Sequence, residues 1–373
     1  MKKIVAVTLP SMLADFIDFG HELYKGNVNY VPELFIAQRD LLTPGKHPFH
    51  EHSVVQTFLA YDGDKITGRI AAILNNNHNR FNNANDGFFG FFDCINDEET
   101  SSLLFDAAGQ WLKEKGVSTM IGPVNLSTNE TCALLIEGFD SPPVAMMTYN
   151  EPYYKDLIEK EGFHKKTDLI AYHFDTDKRD ERRLKTVDLI KDRLSRRGIV
   201  FRPINLKKFK EETDQIRQIY NSAWDKNLGF VPMTENEFKY LAKDLKLIMD
   251  KDFCVVAEHN GRMVGFSLAI PDINYILQKI KKGRLFPTGI FKLLFLKKRI
   301  KKIRIITLGV IEGYRKMGIE TVFYADIIKT VLRKGITTAE ASWILEDNYL
   351  MNKAISDING QPYKRYRIFE KSI

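Results

Sequence analysis

The sequence predicts two mixed α/β domains in tandem, and three observations carry that prediction. A chain of 373 residues is long enough for two cores at about 150 residues per domain. Its 44% hydrophobic and 28% charged residues suit a globular protein and argue against disorder or a fibre. The most specific observation is that one series of landmarks occurs twice along the chain.

Gln56 to Ile73 reads as two strands, rich in β-branched and apolar residues, around an Asp62-Gly63-Asp64 turn. Phe253 to Ile270 reads the same way around Asn260-Gly261, with Ala257 and Gly265 matching Ala60 and Gly68 at an offset of 197. Each half continues with an apolar strand (Gly87 to Ile95; Arg304 to Val310) and an amphipathic helix ending at Lys115-Gly116 or Lys334-Gly335, now at an offset of 219. The second half has therefore gained 22 residues, which lie near 271–303. A last helix closes at Gly162 or Gly360, an offset of 198, so the first half recovers the difference within Gly122 to Asn150. The basic run from Lys178 to Arg197 reads as a helix joining the halves. The expected layout is a first domain over 1–177, a linking helix over 178–198 and a second domain over 199–373 with a basic insertion at about 271–303.

The net charge of +7 is concentrated in one place. From Ile273 to Ile311 there is no acidic residue, while 11 Lys and Arg stand there, so the remainder of the chain carries the difference, −4. A localised charge without interleaved aromatic platforms argues against a nucleic-acid binder. Ile290, Phe291, Leu293, Leu294, Phe295, Leu296, Ile300 and Ile303 alternate with the cations, a pattern that fits an anionic membrane surface or an acyl carrier protein over 279–304, a solvated helix face, or contact with a cofactor 3′-phosphate. No apolar run is long enough to span a bilayer, and Pro10 and Asp15 interrupt the N-terminus too early for a signal peptide, so a cytoplasmic protein is expected. Cys94, Cys132 and Cys254 read as buried thiols.

Chemistry is expected in the second half. Leu308-Gly309-Val310 ends a strand, and Arg315-Lys316-Met317-Gly318-Ile319-Glu320 leads into a helix over Thr321 to Arg333. Such a turn presents unpaired N–H groups at the positive end of a helix dipole, where a pyrophosphate can bind.

This stretch resembles the acyl-CoA-binding segment of the GNAT superfamily of N-acetyltransferases, whose loop reads Arg/Gln-x-x-Gly-x-Gly/Ala. Glu340 through Met351 is similar to the family's next strand and the Asn-bearing start of its following helix. The resemblance implies an α/β (α+β) chain of tandem GNAT-like domains, each a mixed, mostly antiparallel sheet flanked by helices. It implies that Leu308, Gly309 and Val310 bind pantetheine and polarise the thioester, that Arg315, Lys316, Met317, Gly318 and Ile319 cradle the pyrophosphate, and that Asn348 lies on the cofactor side. Acetyl-CoA or another acyl-CoA is the implied co-substrate, with no metal. This sequence departs from the pattern twice. Glu320 replaces the loop's last small residue, and Ile355 stands where the family's general-acid Tyr falls, leaving Tyr349, Tyr363 and Tyr366 as donors. Glu340 as base and Tyr366 as acid form the expected catalytic pair.

The first half has Asn96-Asp97-Glu98-Glu99-Thr100 at the corresponding loop, whose three carboxylates repel a pyrophosphate, so its CoA site is expected to be lost. Asn150-Glu151-Pro152-Tyr153 still resembles the family's last helix. Trp224, Asp225 and Asn227 stand in the helix-loop region that covers the acceptor in the resembled family, and are expected to bind substrate. Polar side chains from Asn125 to Glu130 fit a binding loop or a capped turn. His47, His50, Glu51 and His52 have the residue types of a zinc site, but Pro48 and the lack of a second Cys/His cluster favour a surface turn. The expected activity is acyl-CoA-dependent N-acyl transfer, acetyl transfer first, to a small-molecule or peptide amine. Aminoacyl or long-chain acyl transfer and a catalytically silent binding module are the alternatives.

Overall fold

A computed structural model describes residues 1–178, 181–224 and 229–373. The first part of the chain holds β1 (Lys2–Ala6), α1 (Pro10–Leu23), α2 (Phe35–Leu42), β2 (Val54–Asp62), β3 (Lys65–Leu74), α3 (Asn76–Asn82), β4 (Asp86–Cys94), α4 (Glu98–Glu114), β5 (Thr119–Gly122), β6 (Leu134–Glu137), α5 (Tyr154–Lys160) and β7 (His164–Asp175). There follow α6 (Glu181–Arg196), β8 (Ile199–Pro203), α7 (Phe209–Ala223), α8 (Glu235–Ile248), β9 (Cys254–His259), β10 (Arg262–Pro271), α9 (Asn274–Leu277), α10 (Gly289–Leu296), β11 (Lys302–Val310), α11 (Ile319–Arg333), β12 (Thr338–Leu345), α12 (Tyr349–Asp357) and β13 (Gln361–Ser372).

Packing divides the chain differently from the expected boundaries. Unit 1 is Met1–Leu169, Asn274–Lys298 and Lys364–Ile373, and unit 2 is Ile170–Ile273 and Arg299–Tyr363. Most of the basic insertion thus belongs to unit 1, not to the second domain. It is tied there by Asn274 Nδ2 donating to Pro143 O at 2.8 Å, by Arg284 on Asp18 at 2.7 Å and by Lys282 on Glu22 at 2.6 Å. The chain end also crosses over: Phe369–Ser372 of β13 pairs antiparallel with β5 in unit 1, while the end of β7 lies beside β12 in unit 2. The helix expected to link the halves, α6, is grouped with unit 2, with Leu194 buried among Ile199, Val310, Ile319 and Phe323.

The duplicated landmarks are cross-strand partners. Ala60 pairs with Gly68 and Ala257 with Gly265, each beside a register shift. The second hairpin turns through Asn260 and Gly261, both with positive φ, as a two-residue turn between right-twisted strands requires. Parallel pairing of β4 with β5 and of β11 with β12 completes a mixed, mostly antiparallel sheet in each unit. Unit 1 closes on Phe89, Phe105 and Phe163, whose rings pack 5.1 Å apart. Unit 2 closes on Val256 and Phe266 on one face and on Phe323 and Val322 on the other. Burying each such Phe contributes about 2 to 3 kcal/mol. Thr234 and Glu237 form a reciprocal capping box at the start of α8, worth about 1 kcal/mol.

Candidate functional site

Strand β11 opens the site in unit 2. It pairs with β12 from Lys302/Thr338 to Ile305/Ala341 and then continues to Val310 against β10. Its register with β10 skips Ile306 opposite Leu268 and Ala269, a bulge that turns the strand where it leaves β12. Leu308, Gly309 and Val310 lie past the last β12 pair. Trp224 covers this end: a Cβ on Gly309 would stand 2.7 Å from its indole, which is why the position is glycine. The indole stacks on Tyr220 with ring centres 4.9 Å apart. Asp225 and Asn227 lie outside the described residues.

The loop after β11 is turned by left-handed backbone at Lys316 (φ 63°) and Gly318 (φ 98°), the latter serving as N-cap of α11. The N–H groups of Ile319, Glu320 and Thr321 have no acceptor within the helix and stand at the positive end of its dipole. Arg315 is exposed, but its guanidinium is engaged with backbone carbonyls. Its Nε donates to Val310 O at 3.1 Å and its Nη2 to Ala223 O at 3.4 Å, bracing the loop against α7. Tyr314 bonds His259 Nδ1 at 2.7 Å, and Arg193 Nη2 donates to Met317 O at 3.4 Å. Ile190 of α6 would meet a Cβ on Gly318 at 2.9 Å.

Glu340 stands opposite Arg304, one residue before the last β11–β12 pair, and is fully buried. Its Oε1 accepts from Ser342 Oγ at 2.6 Å and its Oε2 from the Tyr363 hydroxyl. Buried Arg304 donates from Nε to Ser342 Oγ at 3.0 Å and from Nη2 to Ser342 O at 3.2 Å. The His173 ring packs on Tyr363 with centres 5.6 Å apart. The Glu340 carboxylate is thus enclosed by its partners, and Tyr363, which contacts it, is half-buried. Sequence reading listed Tyr363 without choosing it and missed Arg304, Ser342 and His173. Alternation along a strand puts Ser342 on the face of Glu340; the other partners come from distant elements.

Tyr366, the expected acid, is fully buried in unit 1. Asn348 is the exposed N-cap of α12, its Oδ1 accepting from Met351 N–H at 3.2 Å. Ile355 is a core residue against Tyr172 and Ala341. The polar loop of unit 1 is partly structural: Asn125 accepts from Phe91 N–H at 2.8 Å and donates to Thr131 at 2.8 Å. The imidazoles of the His-rich turn diverge, His50 to Leu41 O at 2.9 Å and His52 to Ser53 Oγ at 2.6 Å, while His47 Nδ1 accepts from Phe49 N–H at 3.3 Å.

The same strand end in unit 1 is plugged. Cys94 pairs with Gly68 as Val310 pairs with Gly265. The Cys94 N–H donates to the Tyr154 hydroxyl at 3.1 Å, and its carbonyl accepts from the Tyr153 hydroxyl at 2.7 Å. Tyr154 is itself held by Asp93 at 3.0 Å and Tyr24 at 3.1 Å. At the following helix start, the Asp97 carboxylate accepts from Thr100 N–H at 2.8 Å and from Lys2 at 2.6 Å. The Lys2 hydrogen bond pulls the Asp97 pKa down to about 2.

No protein-family model matches the chain. Protein YghO of Escherichia coli (strain K12) is 37% identical over 368 residues, covering 97% of this chain and 93% of that protein. The bacterial ceramide synthase of Caulobacter vibrioides is 33% identical over 383 residues, covering 99% and 97%. Among solved structures, the tandem GNAT protein from the clavulanic acid biosynthesis pathway superposes with a TM-score of 0.60 at 11% identity, covering 100% of this chain and 98% of its own. The chain belongs to the family that includes Protein YghO and the bacterial ceramide synthase, and it is an acyltransferase built on the tandem GNAT fold.

Proposed function

We propose that the protein transfers a fatty acyl group from acyl-CoA to the primary amine of a long-chain amino alcohol, forming an amide, with unit 2 alone holding the CoA. The observation that carries the cofactor assignment is the contrast between two equivalent strand ends. The Cys94 N–H and carbonyl are both taken by tyrosines and the helix that follows is capped by Asp97, whereas at Val310 the carbonyl is taken by Arg315 of the loop itself and the helix that follows has no side-chain cap. The choice of acyl group and acceptor draws on the relative named a ceramide synthase, since a ceramide is an N-acylated long-chain amino alcohol. This departs from the acetyl transfer first expected.

Acyl-CoA supplies a thioester carbonyl. Backbone N–H groups between Leu308 and Val310 hold its oxygen and draw charge onto it, which favours attack by nitrogen. The pyrophosphate is held by the N–H groups from Arg315 to Thr321. Trp224 presents an apolar ring over the strand end. The Tyr363 hydroxyl, hydrogen-bonded to Glu340, takes the proton of the attacking amine while passing its own to the carboxylate; as the C–N bond forms the C–S bond breaks, and the same path returns the proton to the departing CoA thiolate, leaving amide and free thiol, with Ser342 and Arg304 keeping the carboxylate in place. Glu340 is thus a positioning residue and proton store, not the group that touches the amine.

The test is a product assay in which the purified chain is given acetyl-CoA or palmitoyl-CoA with long-chain amino alcohols and with short amines. Thiol release and mass spectrometry should show an amide from palmitoyl-CoA and the long-chain base at a rate at least about tenfold above every other pair, a difference of about 1.4 kcal/mol in barrier. Equal use of acetyl-CoA and short amines would refute the lipid assignment while leaving acyl transfer intact.

A further inference from the structure

Most of the basic insertion folds into unit 1, with apolar side chains on both the seated and the outward side of its helix. Gly289 is buried and Ile290, Leu293 and Leu296 are partly buried, so one side of α10 is seated on the protein. The opposite side carries Phe291, Leu294 and Phe295 at 57%, 68% and 75% exposure, spaced i, i+3, i+4, with Phe286 at 76% just before the helix. The seating is firm: Arg284 bonds Asp18 and lies 3.9 Å from the Phe35 ring centre, and Gln278 donates to Val28 O at 3.2 Å. Four large apolar side chains therefore stand exposed together next to a segment tied to the protein, where isolated exposed hydrophobes would need no explanation.

Charge identifies what covers them. Exposed Lys279, Lys281, Lys297 and Lys298 flank the patch, and the segment holds no acidic residue. An acidic protein could neutralise the cations without burying the Phe and Leu side chains. A bilayer interface does both, with phosphates at the Lys ammonium groups and the acyl boundary at the rings. The eight-residue helix is far too short to cross, so it lies flat in the interface.

We propose that α10 and the preceding Phe286 form a membrane-surface anchor specific for anionic phospholipid, with Phe286, Phe291, Leu294 and Phe295 inserted below the headgroups. This surface belongs to unit 1 and the proposed cofactor loop to unit 2, and the proposal holds whichever amine is acylated. In sedimentation with phosphatidylcholine vesicles, the full chain should bind when about 30% phosphatidylglycerol is included and bind at least about tenfold less without it. Phe291→Ser/Leu294→Ser/Phe295→Ser should weaken that binding at least about 30-fold. Lys279→Gln/Lys281→Gln/Lys297→Gln/Lys298→Gln should weaken it mainly at low salt, because exposed charges are screened within about 10 Å at 0.1 M. A Phe295→Trp variant should show a blue-shifted emission with vesicles and quenching by lipids brominated on the acyl chain. Circular dichroism of each variant checks folding. The proposal is overturned if anionic vesicles are not bound, if the triple Ser variant binds like the native chain, or if the Phe295→Trp indole stays accessible to iodide. Capture of an acidic acyl carrier protein that depends on the four Lys but not on the Phe and Leu residues also overturns it.

Discussion

The hydroxyl of Tyr363 donates to a carboxylate, Glu340, that has no surface of its own. In the proposed mechanism this buried acid and half-buried phenol carry the amine's proton in two steps. Tyr363→Phe should lower kcat by about 10²-fold or more while leaving CoA affinity within about twofold, and Glu340→Gln should do the same. A pH–rate profile separates this role from a structural one: if Tyr363 and Glu340 only pack, both variants lose stability but keep the native profile.

Gly318 adopts φ 98° at the start of α11. Gly318→Asp adds strain and a negative charge where the proposed function places the pyrophosphate, so calorimetry should detect no CoA binding. Asn96→Asp, at the corresponding loop of unit 1, should leave CoA affinity unchanged. Equal effects of the two substitutions would contradict a single cofactor site.

Tyr154 is the centre of the plug in unit 1, bonded to Cys94, Asp93 and Tyr24. Tyr154→Phe leaves buried partners unsatisfied and should destabilise the protein by about 1 to 3 kcal/mol in denaturant titration. The stoichiometry of CoA binding should stay at one per chain, since Tyr153 still holds the Cys94 carbonyl.

His21 is buried in unit 1 with Nδ1 on the Tyr30 hydroxyl at 2.9 Å. Burial, with Arg69, Lys282 and Arg284 nearby and Glu22 opposing them, lowers its pKa from 6.5 to about 3. A depressed histidine pKa means that the unfolded chain takes up the proton first, so stability is fully present above pH 6.5 and falls as pH drops through the window down to 3. The slope is about 1.4 kcal/mol per pH unit. Denaturant unfolding at pH 7 and pH 5.5, above the range where most carboxylates titrate, should show this loss, and His21→Gln should flatten it.

Unit 1 takes its last strand segment from the end of the chain. Deleting Lys364–Ile373 should therefore expose β5 as an edge and make unit 1, rather than unit 2, the first target of limited proteolysis.

Hairpins, helix ends and the duplication were legible in the sequence because they depend on local periodicity and turn chemistry. Ala60/Gly68 and Ala257/Gly265 recur because each is a pair across a tight turn, and Gly318 is readable because few other residues tolerate its backbone. The proposed cofactor loop belongs to the same class: a strand, a turn and a helix start lie within about a dozen residues, the local arrangement that an anion site requires. What only the tertiary structure decided involves partners far apart in the chain. Tyr363 reaches Glu340 from the start of β13, Tyr154 reaches Cys94 from α5, and β13 crosses to β5, and no periodicity records which distant strand a segment will join. The insertion shows the same limit. Its charge and apolar spacing were plain from the sequence, but packing of Gly289, Ile290 and Leu293 against unit 1 chose which side faces out, because burial is a property of two surfaces and the sequence of one helix contains only one of them.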